Sequence, residues 1–304
     1  MISERAKRTI EYLSENKLPD LHKLPVSVLR EGMNAQAALI EPPQGCIFEP
    51  VDAGGVPCVW VKAAETKEAY TIIYLHGGGY ILGSHQTHRG LLGSLSQRSG
   101  IRVLAVDYRL APENPYPAAL EDAITVYRWL LEQKLSPAHI AIGGDSAGGG
   151  LTLATLLKLK TRGESLPAVA FCLSPWVDLE CTGETIETKK EHDPLVTKEL
   201  LCLFAALYAG QASMRTPFIS PLYGDLTGLP PTLIVVGTAE LLLSDSQRMA
   251  DALKRAGVSC TLLQWDEMFH VFPLSTFLPE SKKALEKLAV FLSSHLRATR
   301  VANG

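Results

Sequence analysis

Short apolar runs that recur along the chain restrict its fold more than any other feature of the sequence. In residues 71–75 and 233–236 the apolar side chains follow one another without interruption. A strand with one solvent-exposed face would instead alternate apolar and polar residues. Such runs suit strands that are covered on both faces, as in a mostly parallel sheet. The segments predicted as strands are 46–51, 56–63, 70–75, 101–107, 139–143, 168–174, 232–237 and 259–265.

Helical patterns lie between these strands. In residues 281–297, four leucines recur at steps of three and four residues and form one apolar stripe. Residues 244–256 begin with Ser244 and Asp245, which are predicted as helix caps, and end before Gly257. Strands that alternate with helices predict an α/β fold with a doubly wound sheet.

Charge and composition exclude several classes of function. The chain has 29 basic and 32 acidic residues, and no basic cluster that would bind nucleic acid. The N-terminus lacks the apolar stretch of a signal peptide, and the longest apolar runs reach only half of the ~20 residues of a membrane span. The six cysteines show no paired spacing and are predicted to be reduced core thiols. A cytoplasmic protein without a membrane span is expected.

One glycine-flanked serine lies between a predicted strand and a predicted helix. The sequence Gly144-Asp145-Ser146-Ala147-Gly148 follows strand 139–143 and precedes helix 149–161. A sharp strand-to-helix turn exposes the serine hydroxyl, and the glycines let other backbone approach closely. The start of the helix also favours negative charge at this point. A phosphate-binding loop would need a following Gly-Lys-Ser or Gly-Lys-Thr, which is missing, so Ser146 is predicted to be a nucleophile.

A second glycine-rich segment, His76-Gly77-Gly78-Gly79, closes strand 70–75. Successive glycines allow backbone N–H groups to point together at a substrate oxygen. With the N–H of Ala147 they would form an oxyanion hole, in which each donor contributes about 3 kcal/mol. A flexible turn is the simpler interpretation, but a second glycine-rich strand end in the same chain favours the oxyanion hole. His76 is predicted to fix the loop rather than to act as a base.

A general base and an acid are expected later in the chain, at the carboxyl ends of successive strands, in the order serine, acid, histidine. Strand 259–265 leads to His270, which is the predicted base. Strand 232–237 leads to Glu240, which would hold the imidazole in the required tautomer and stabilise the imidazolium. Asp245 is the alternative acid, although its place at a helix start favours a capping role.

Three motifs in this order resemble the hormone-sensitive-lipase family of microbial esterases. They are the His76 to Gly79 segment, Tyr108-Arg109-Leu110-Ala111-Pro112-Glu113, and Gly144-Asp145-Ser146-Ala147-Gly148-Gly149, with support from Ser220-Pro221-Leu222 and the His270 segment. The resemblance covers about residues 45–295. It implies an eight-stranded α/β-hydrolase fold with a helical cap, esterase activity on short- to medium-chain acyl esters, and no cofactor or metal.

The resemblance also implies roles for individual residues. The oxyanion donors would be the backbone N–H groups of Gly78, Gly79 and Ala147. The acid of the family is usually an aspartate, and Glu240 departs from that pattern by one methylene group. On the apolar helix 197–209, the side chains of Phe204, Leu207 and Tyr208 are predicted to line the substrate pocket together with Tyr80, although simple core packing is the alternative.

Two regions interrupt the alternation of strands and helices and are predicted to form a lid. Residues 1–42 are expected to be N-terminal cap helices, and residues 43–304 the catalytic domain, with a cap insertion at about 178–216. The expected partner is a small-molecule ester, and a homodimer is left open. Two other functions are weighed: an amidase or peptidase, since the same triad cleaves amides, and a non-catalytic binding module, which would be expected to lose His270.

Overall fold

One eight-stranded sheet organises the computed structural model, which describes residues 2–17 and 20–298. The strands are β1 (Ile47–Asp52), β2 (Pro57–Lys62), β3 (Lys67–Leu75), β4 (Ile101–Val106), β5 (Ile140–Asp145), β6 (Val169–Leu173), β7 (Thr232–Gly237) and β8 (Cys260–Trp265). Their order across the sheet is β1-β2-β4-β3-β5-β6-β7-β8. β2 pairs antiparallel with β1 and β4, and the pairs from β4 to β8 are parallel. The predicted eight strands and the mostly parallel sheet are confirmed.

Helices cover both faces of this sheet. The α-helices are α1 (Glu4–Glu15), α2 (Val26–Ala38), α3 (His85–Ser99), α4 (Ala118–Glu132), α5 (Ala147–Thr161), α6 (Thr185–Thr188), α7 (Lys198–Ala209), α8 (Leu243–Arg255) and α9 (Pro279–Ala298). Ile72 and Tyr74 of β3 belong to the buried cluster that includes residues of α3 and α9, whereas Ile73 and Leu75 belong to the cluster that includes residues of α4, α5 and α8. Successive side chains of a strand point to opposite faces, so both faces of β3 must be apolar.

The apolar stripe predicted near the C-terminus is confirmed in α9. Leu285, Leu288, Leu292 and Leu296 are all buried against the sheet. The carboxyl ends of the parallel strands meet at one edge of the sheet, where ligands of such sheets bind. The loops that follow β3, β5, β6, β7 and β8 therefore carry the candidate site.

The capping role predicted for Ser244 and Asp245 is wrong. The helix begins at Leu243, after Leu242, and the hydroxyl of Thr185 accepts the N–H of Ser244 in its first turn at 2.9 Å. Asp245 is fully buried, and its Oδ2 accepts the backbone N–H groups of Val177 at 3.0 Å and Asp178 at 3.1 Å. Its Oδ1 pairs with Arg248 at 2.9 Å. The carboxylate therefore joins α8 to the segment after β6, because buried backbone donors need an acceptor.

The two irregular regions lie against the main body and against each other. Arg30 of α2 donates to the carbonyl oxygens of Ile81 and Ala111, at 2.8 and 2.9 Å. Lys17 donates to the carbonyl oxygen of Asp193, within the predicted insertion, at 2.7 Å. Among the described residues, no helix is both long enough and apolar enough to cross a membrane.

Candidate active site

Ser146 lies in a tight turn between β5 and α5. Its backbone has φ +50° and ψ −120°, a left-handed conformation that is unfavourable for a residue with a Cβ atom. A Cβ at Gly144 would lie 2.1 Å from the carbonyl oxygen of Leu75, and one at Gly148 only 2.0 Å from the same atom. The glycines two residues before and after Ser146 are therefore required because the end of β3 approaches this turn.

Ser146, His270 and Glu240 form one continuous hydrogen-bonded path. The Nε2 of His270 lies 2.9 Å from the Oγ of Ser146, and its Nδ1 lies 2.6 Å from the Oε2 of Glu240. Glu240 is fully buried, and His270 is 7% exposed. The three side chains come from the loops after β5, β7 and β8, which end at the same edge of the sheet. The structure thus brings together the three residues that were predicted from the sequence, and Asp245 takes no part in this path.

The second oxygen of Glu240 has two donors. Its Oε1 accepts the backbone N–H of Gly237 at 2.6 Å and the hydroxyl of Ser174 at 2.8 Å. The Oγ of Ser174 in turn accepts the backbone N–H of Val271, next to His270, at 3.1 Å. The sequence analysis missed Ser174. The available signal was its position immediately after β6, at the same edge of the sheet as the other site residues.

The charge of Glu240 strengthens His270 as a base. Burial by itself lowers the pKa of His270, but the hydrogen bond and the negative charge of Glu240 outweigh it, with smaller contributions from Asp193 and Asp145. The pKa of His270 is therefore raised above its ordinary value of about 6.5. A raised pKa means that the imidazolium is stabilised in place, which is the state formed when histidine takes a proton from a serine.

The loop after β3 offers free backbone donors. Gly78 and Gly79 have φ +111° and +64°, and a Cβ at Gly79 would lie 2.1 Å from the ring of Phe204. Within the described residues, the N–H groups of Gly78 and Gly79 have no hydrogen-bond acceptor. Ala147 is the first residue of α5, where helix N–H groups have no partner within the helix. The predicted oxyanion donors thus lie in loops at adjacent strand ends, since Leu75 of β3 is paired with Gly144 of β5.

A buried carboxylate holds this glycine loop. The Oδ1 of Asp145 accepts the N–H of Gly77 at 3.0 Å and the hydroxyl of Tyr74 at 2.7 Å, and it lies 3.2 Å from the Nε2 of His88. Burial by itself raises the pKa of Asp145, but the charge and hydrogen bond of His88 outweigh it, so that the net pKa is lowered. This role of Asp145 was not predicted from the sequence, where the residue is only part of the motif around Ser146.

His76 is buried beneath the same loop, as expected for a histidine that fixes it. Its ring stacks on Tyr108 with centroids 4.2 Å apart, and the hydroxyl of Tyr108 donates to the carbonyl oxygen of His76 at 2.6 Å. Burial and the nearby charge of His88 lower the pKa of His76 to about 4. His76 is therefore neutral at neutral pH.

Aromatic side chains of α7 lie over the glycine loop. Phe204 packs against Gly79, and the ring of Tyr208 stacks on that of Tyr80 with centroids 3.7 Å apart. Tyr80, Phe204 and Tyr208 are buried, whereas Leu207 is only partly buried. Three of the four predicted pocket residues thus form one aromatic cluster beside the loop.

Comparisons with known proteins agree with this architecture. Residues 72–274 match a family described as having the alpha/beta hydrolase fold. An acetyl-hydrolase of Streptomyces hygroscopicus is 44% identical over 243 residues, which are 80% of this chain and 81% of that protein. A crystal structure of an esterase from the bacterial hormone-sensitive lipase family is 41% identical, with a TM-score of 0.93 over 97% of this chain and 99% of that chain. The esterase EstE5, in crystals soaked with p-nitrophenyl butyrate, is 39% identical with the same TM-score and coverage.

Fold and site together define an α/β-hydrolase. The chain belongs to the hormone-sensitive-lipase family of carboxylesterases. The predicted fold and the resemblance stated from the three sequence motifs are confirmed by these matches.

The contact between Gly79 and Phe204 gives a test of the glycine loop. Gly79→Ala should lower kcat/KM by about 100-fold, because the new Cβ must displace either Phe204 or the loop that carries the predicted oxyanion donors. Steady-state hydrolysis of p-nitrophenyl butyrate measures the change. Phe204→Ala in the same chain should restore part of the lost activity.

Gly163→Ala is the matched control for Gly79→Ala. Gly163 has a similar positive φ of +69°, but nothing lies within 4 Å of an added Cβ. This variant should keep kcat/KM near the wild-type value. Wild-type activity in Gly79→Ala would show that the position of this loop does not matter for turnover.

Proposed function

We propose that Ser146, His270 and Glu240 are the catalytic triad with which this carboxylesterase hydrolyses its substrates. The observation that carries the proposal is the unbroken path from the Ser146 Oγ through both ring nitrogens of His270 to the buried Glu240. The Ser146 Oγ and the His270 Nε2 lie at the distance that proton transfer requires, and the path ends on a carboxylate that can stabilise a positive imidazolium.

The proposed reaction has two halves. In the first, the Ser146 Oγ attacks the ester carbonyl carbon while the His270 Nε2 takes the hydroxyl proton. The carbonyl oxygen becomes an oxyanion, which accepts hydrogen bonds from the N–H groups of Gly78, Gly79 and Ala147. His270 then gives its proton to the departing alcohol, and an acyl group remains on Ser146.

The second half releases the carboxylic acid product. A water molecule gives a proton to His270 and its oxygen attacks the acyl carbon, through a second oxyanion at the same donors. The proton then returns from His270 to the Ser146 Oγ, and the carboxylic acid leaves. Glu240 keeps its negative charge throughout, because it stabilises the imidazolium and does not itself take the proton.

Removal of the nucleophile is the direct test of the triad. Ser146→Ala should lower kcat by on the order of a millionfold and abolish labelling by a serine-directed organophosphate. The label is detected by mass spectrometry of the intact protein, and the wild type should take up one label. A labelled Ser146→Ala variant would assign the nucleophile to another residue.

An aminoacyl anilide assayed in parallel separates the esterase from the amidase or peptidase, and turnover of any ester excludes a binding module.

The pH dependence of turnover tests whether Glu240 is the acid of the triad. On the acidic side of the pH profile, kcat/KM falls as His270 becomes protonated; we call this fall the acidic limb. Because Glu240 raises the pKa of His270, the acidic limb of the wild type should lie above about pH 6.5. Glu240→Gln removes the negative charge and should move this limb to lower pH. It should also lower kcat by up to about 10⁴-fold.

Asp245→Asn is the comparison variant for Glu240→Gln, because Asp245 is also a buried carboxylate but contacts neither Ser146 nor His270. Its acidic limb should stay at the wild-type position. If Asp245→Asn moved the limb and Glu240→Gln did not, the acid would be Asp245. Thermal melting of each variant separates lost chemistry from lost folding.

We also infer that residues 1–42 and the insertion at about 178–216 act as a cap that limits the length of the acyl chain. The aromatic cluster of Tyr80, Phe204 and Tyr208 supports this inference, because the ring of Phe204 lies against Gly79 and Tyr208 stacks on Tyr80. Crystals of the related esterase EstE5 were soaked with p-nitrophenyl butyrate, a short-chain ester. A homodimer and a cytoplasmic location stay predictions.

A series of p-nitrophenyl esters tests the cap. Activity of the wild type should peak at roughly four to eight acyl carbons, as expected for a small closed pocket. Phe204→Ala opens space beside Gly79 and should shift the preference towards longer chains. Cys202→Ala, an exposed position on the same helix, should leave the profile unchanged. An unchanged profile in Phe204→Ala would remove Phe204 from the pocket wall.

A further inference from the structure

Ser174 lies at the end of β6, beside the ends of β7 and β8, which carry the proposed acid and base. It is the first residue after β6, it is fully buried, and its backbone N–H donates to the carbonyl oxygen of Val235 in β7 at 2.7 Å. Its φ is +48°, in the left-handed region that is unfavourable for any residue with a Cβ atom. A residue held in this conformation needs the surrounding structure to fix it there.

The hydroxyl of Ser174 has one proton, and the contacts determine where it goes. The backbone N–H of Val271 can only donate, so the Oγ accepts from it at 3.1 Å. The hydroxyl proton is then directed to the Oε1 of Glu240, 2.8 Å away. One side chain therefore holds both the acid and the segment that carries the base.

The hydrogen bond between Val271 and Ser174 matters because of the backbone conformation of Val271. It is a β-branched residue with φ +47°, which is a rare and costly backbone conformation. It directly follows His270, so its backbone conformation affects where the imidazole ring points. The Val271–Ser174 hydrogen bond is a specific contact that holds this segment in place.

Glu240 needs more support than a shorter acid would. Its extra methylene group adds one rotatable bond, and the carboxylate can present either oxygen to His270. Gly237 and Ser174 both donate to Oε1, which leaves Oε2 for the Nδ1 of His270. A carboxylate with both oxygens satisfied in this way loses little freedom when the imidazolium forms.

We propose that Ser174 is a positioning residue that directs Glu240 towards His270 and holds the segment of Val271. The proposal rests on the triad proposed above and adds a residue that acts through Glu240 and Val271. The other charged groups near His270 are Asp193, from the insertion, and Asp145, at the end of β5. Neither contacts Ser174, so both stay in place when Ser174 is changed.

Ser174→Ala and Ser174→Gly remove the hydroxyl in two ways. The glycine variant also relieves the positive φ, so it should fold even if the alanine variant does not. Both should lower kcat by about 10- to 100-fold, as for a lost hydrogen bond to a charged group, and should leave KM within about twofold of the wild type. A less well-held Glu240 stabilises the imidazolium less, so the acidic limb of kcat/KM should move to lower pH.

Ser96→Ala is the matched control. Ser96 is also a fully buried serine, and its Oγ accepts the backbone N–H of Ala63 at 3.1 Å, in a part of α3 that does not contact the site. It should lose stability but keep the wild-type kcat and pH profile. A double-mutant cycle adds a second readout: in the Glu240→Gln background, removal of the Ser174 hydroxyl should have a much smaller effect on kcat.

The results of these experiments distinguish a failure of the role proposed for Ser174 from a failure of the proposed triad. If Ser146→Ala still reacts with an organophosphate, or Glu240→Gln is fully active, the proposed triad fails and the role of Ser174 fails with it. If those two variants behave as expected but both Ser174 variants resemble Ser96→Ala, only the role of Ser174 is overturned. A fall in kcat with an unmoved acidic limb and additive effects in the cycle would also overturn it, because that pattern indicates a merely structural residue.

Discussion

The carbonyl oxygen of Leu75, at the end of β3, lies against the turn that carries Ser146, and this contact between two backbones sets the arrangement of the site. No side chain fits at Gly144 or Gly148, because a Cβ at either position would lie about 2 Å from that oxygen. The close approach brings the glycine loop after β3 beside Ser146. The sheet therefore places Ser146 and the proposed oxyanion donors largely by main-chain packing, and the side chain of Asp145 holds the first glycine of the loop.

The acid and the base depend on a different kind of contact. They lie in irregular loops after β7 and β8, where Glu267 and Val271 have positive φ. Beyond the strands, main-chain hydrogen bonds still join the two loops, from Thr238 to Trp265 and from Ala239 to Met268, and side-chain hydrogen bonds add to them. Ser174 joins Glu240 to Val271, and Asp193 joins the insertion to the N–H of Leu241, next to Glu240. The insertion is thus attached to the loop of Glu240 through a buried carboxylate.

The fold and the three principal site residues could be predicted because their signals are local in the sequence. Consecutive apolar residues mark strands covered on both faces, and the glycines around Ser146 mark a turn that needs them. Asp245 shows where a local pattern fails: its place at a helix start suggested a cap, but burial made it an acceptor for Val177 and Asp178. Ser174 and its partners are separated by 66 and 97 residues, so no spacing in the sequence connects them.

Burial has two opposite effects on the charged groups of this site, and their balance determines how well the imidazolium of His270 is stabilised. Removal of water destabilises a charged imidazole and a charged carboxylate, which acts against both His270 and Glu240. The same removal of water strengthens the attraction between them, because water no longer screens it. At His270 the hydrogen bond and charge of Glu240, together with the charges of Asp193 and Asp145, outweigh burial and raise the pKa, whereas at Glu240 burial is the stronger effect and raises the pKa of the carboxyl. In the proposed reaction, His270 gains a positive charge when Ser146 gives up its proton, so the attraction would stabilise the reacting state more than the resting one.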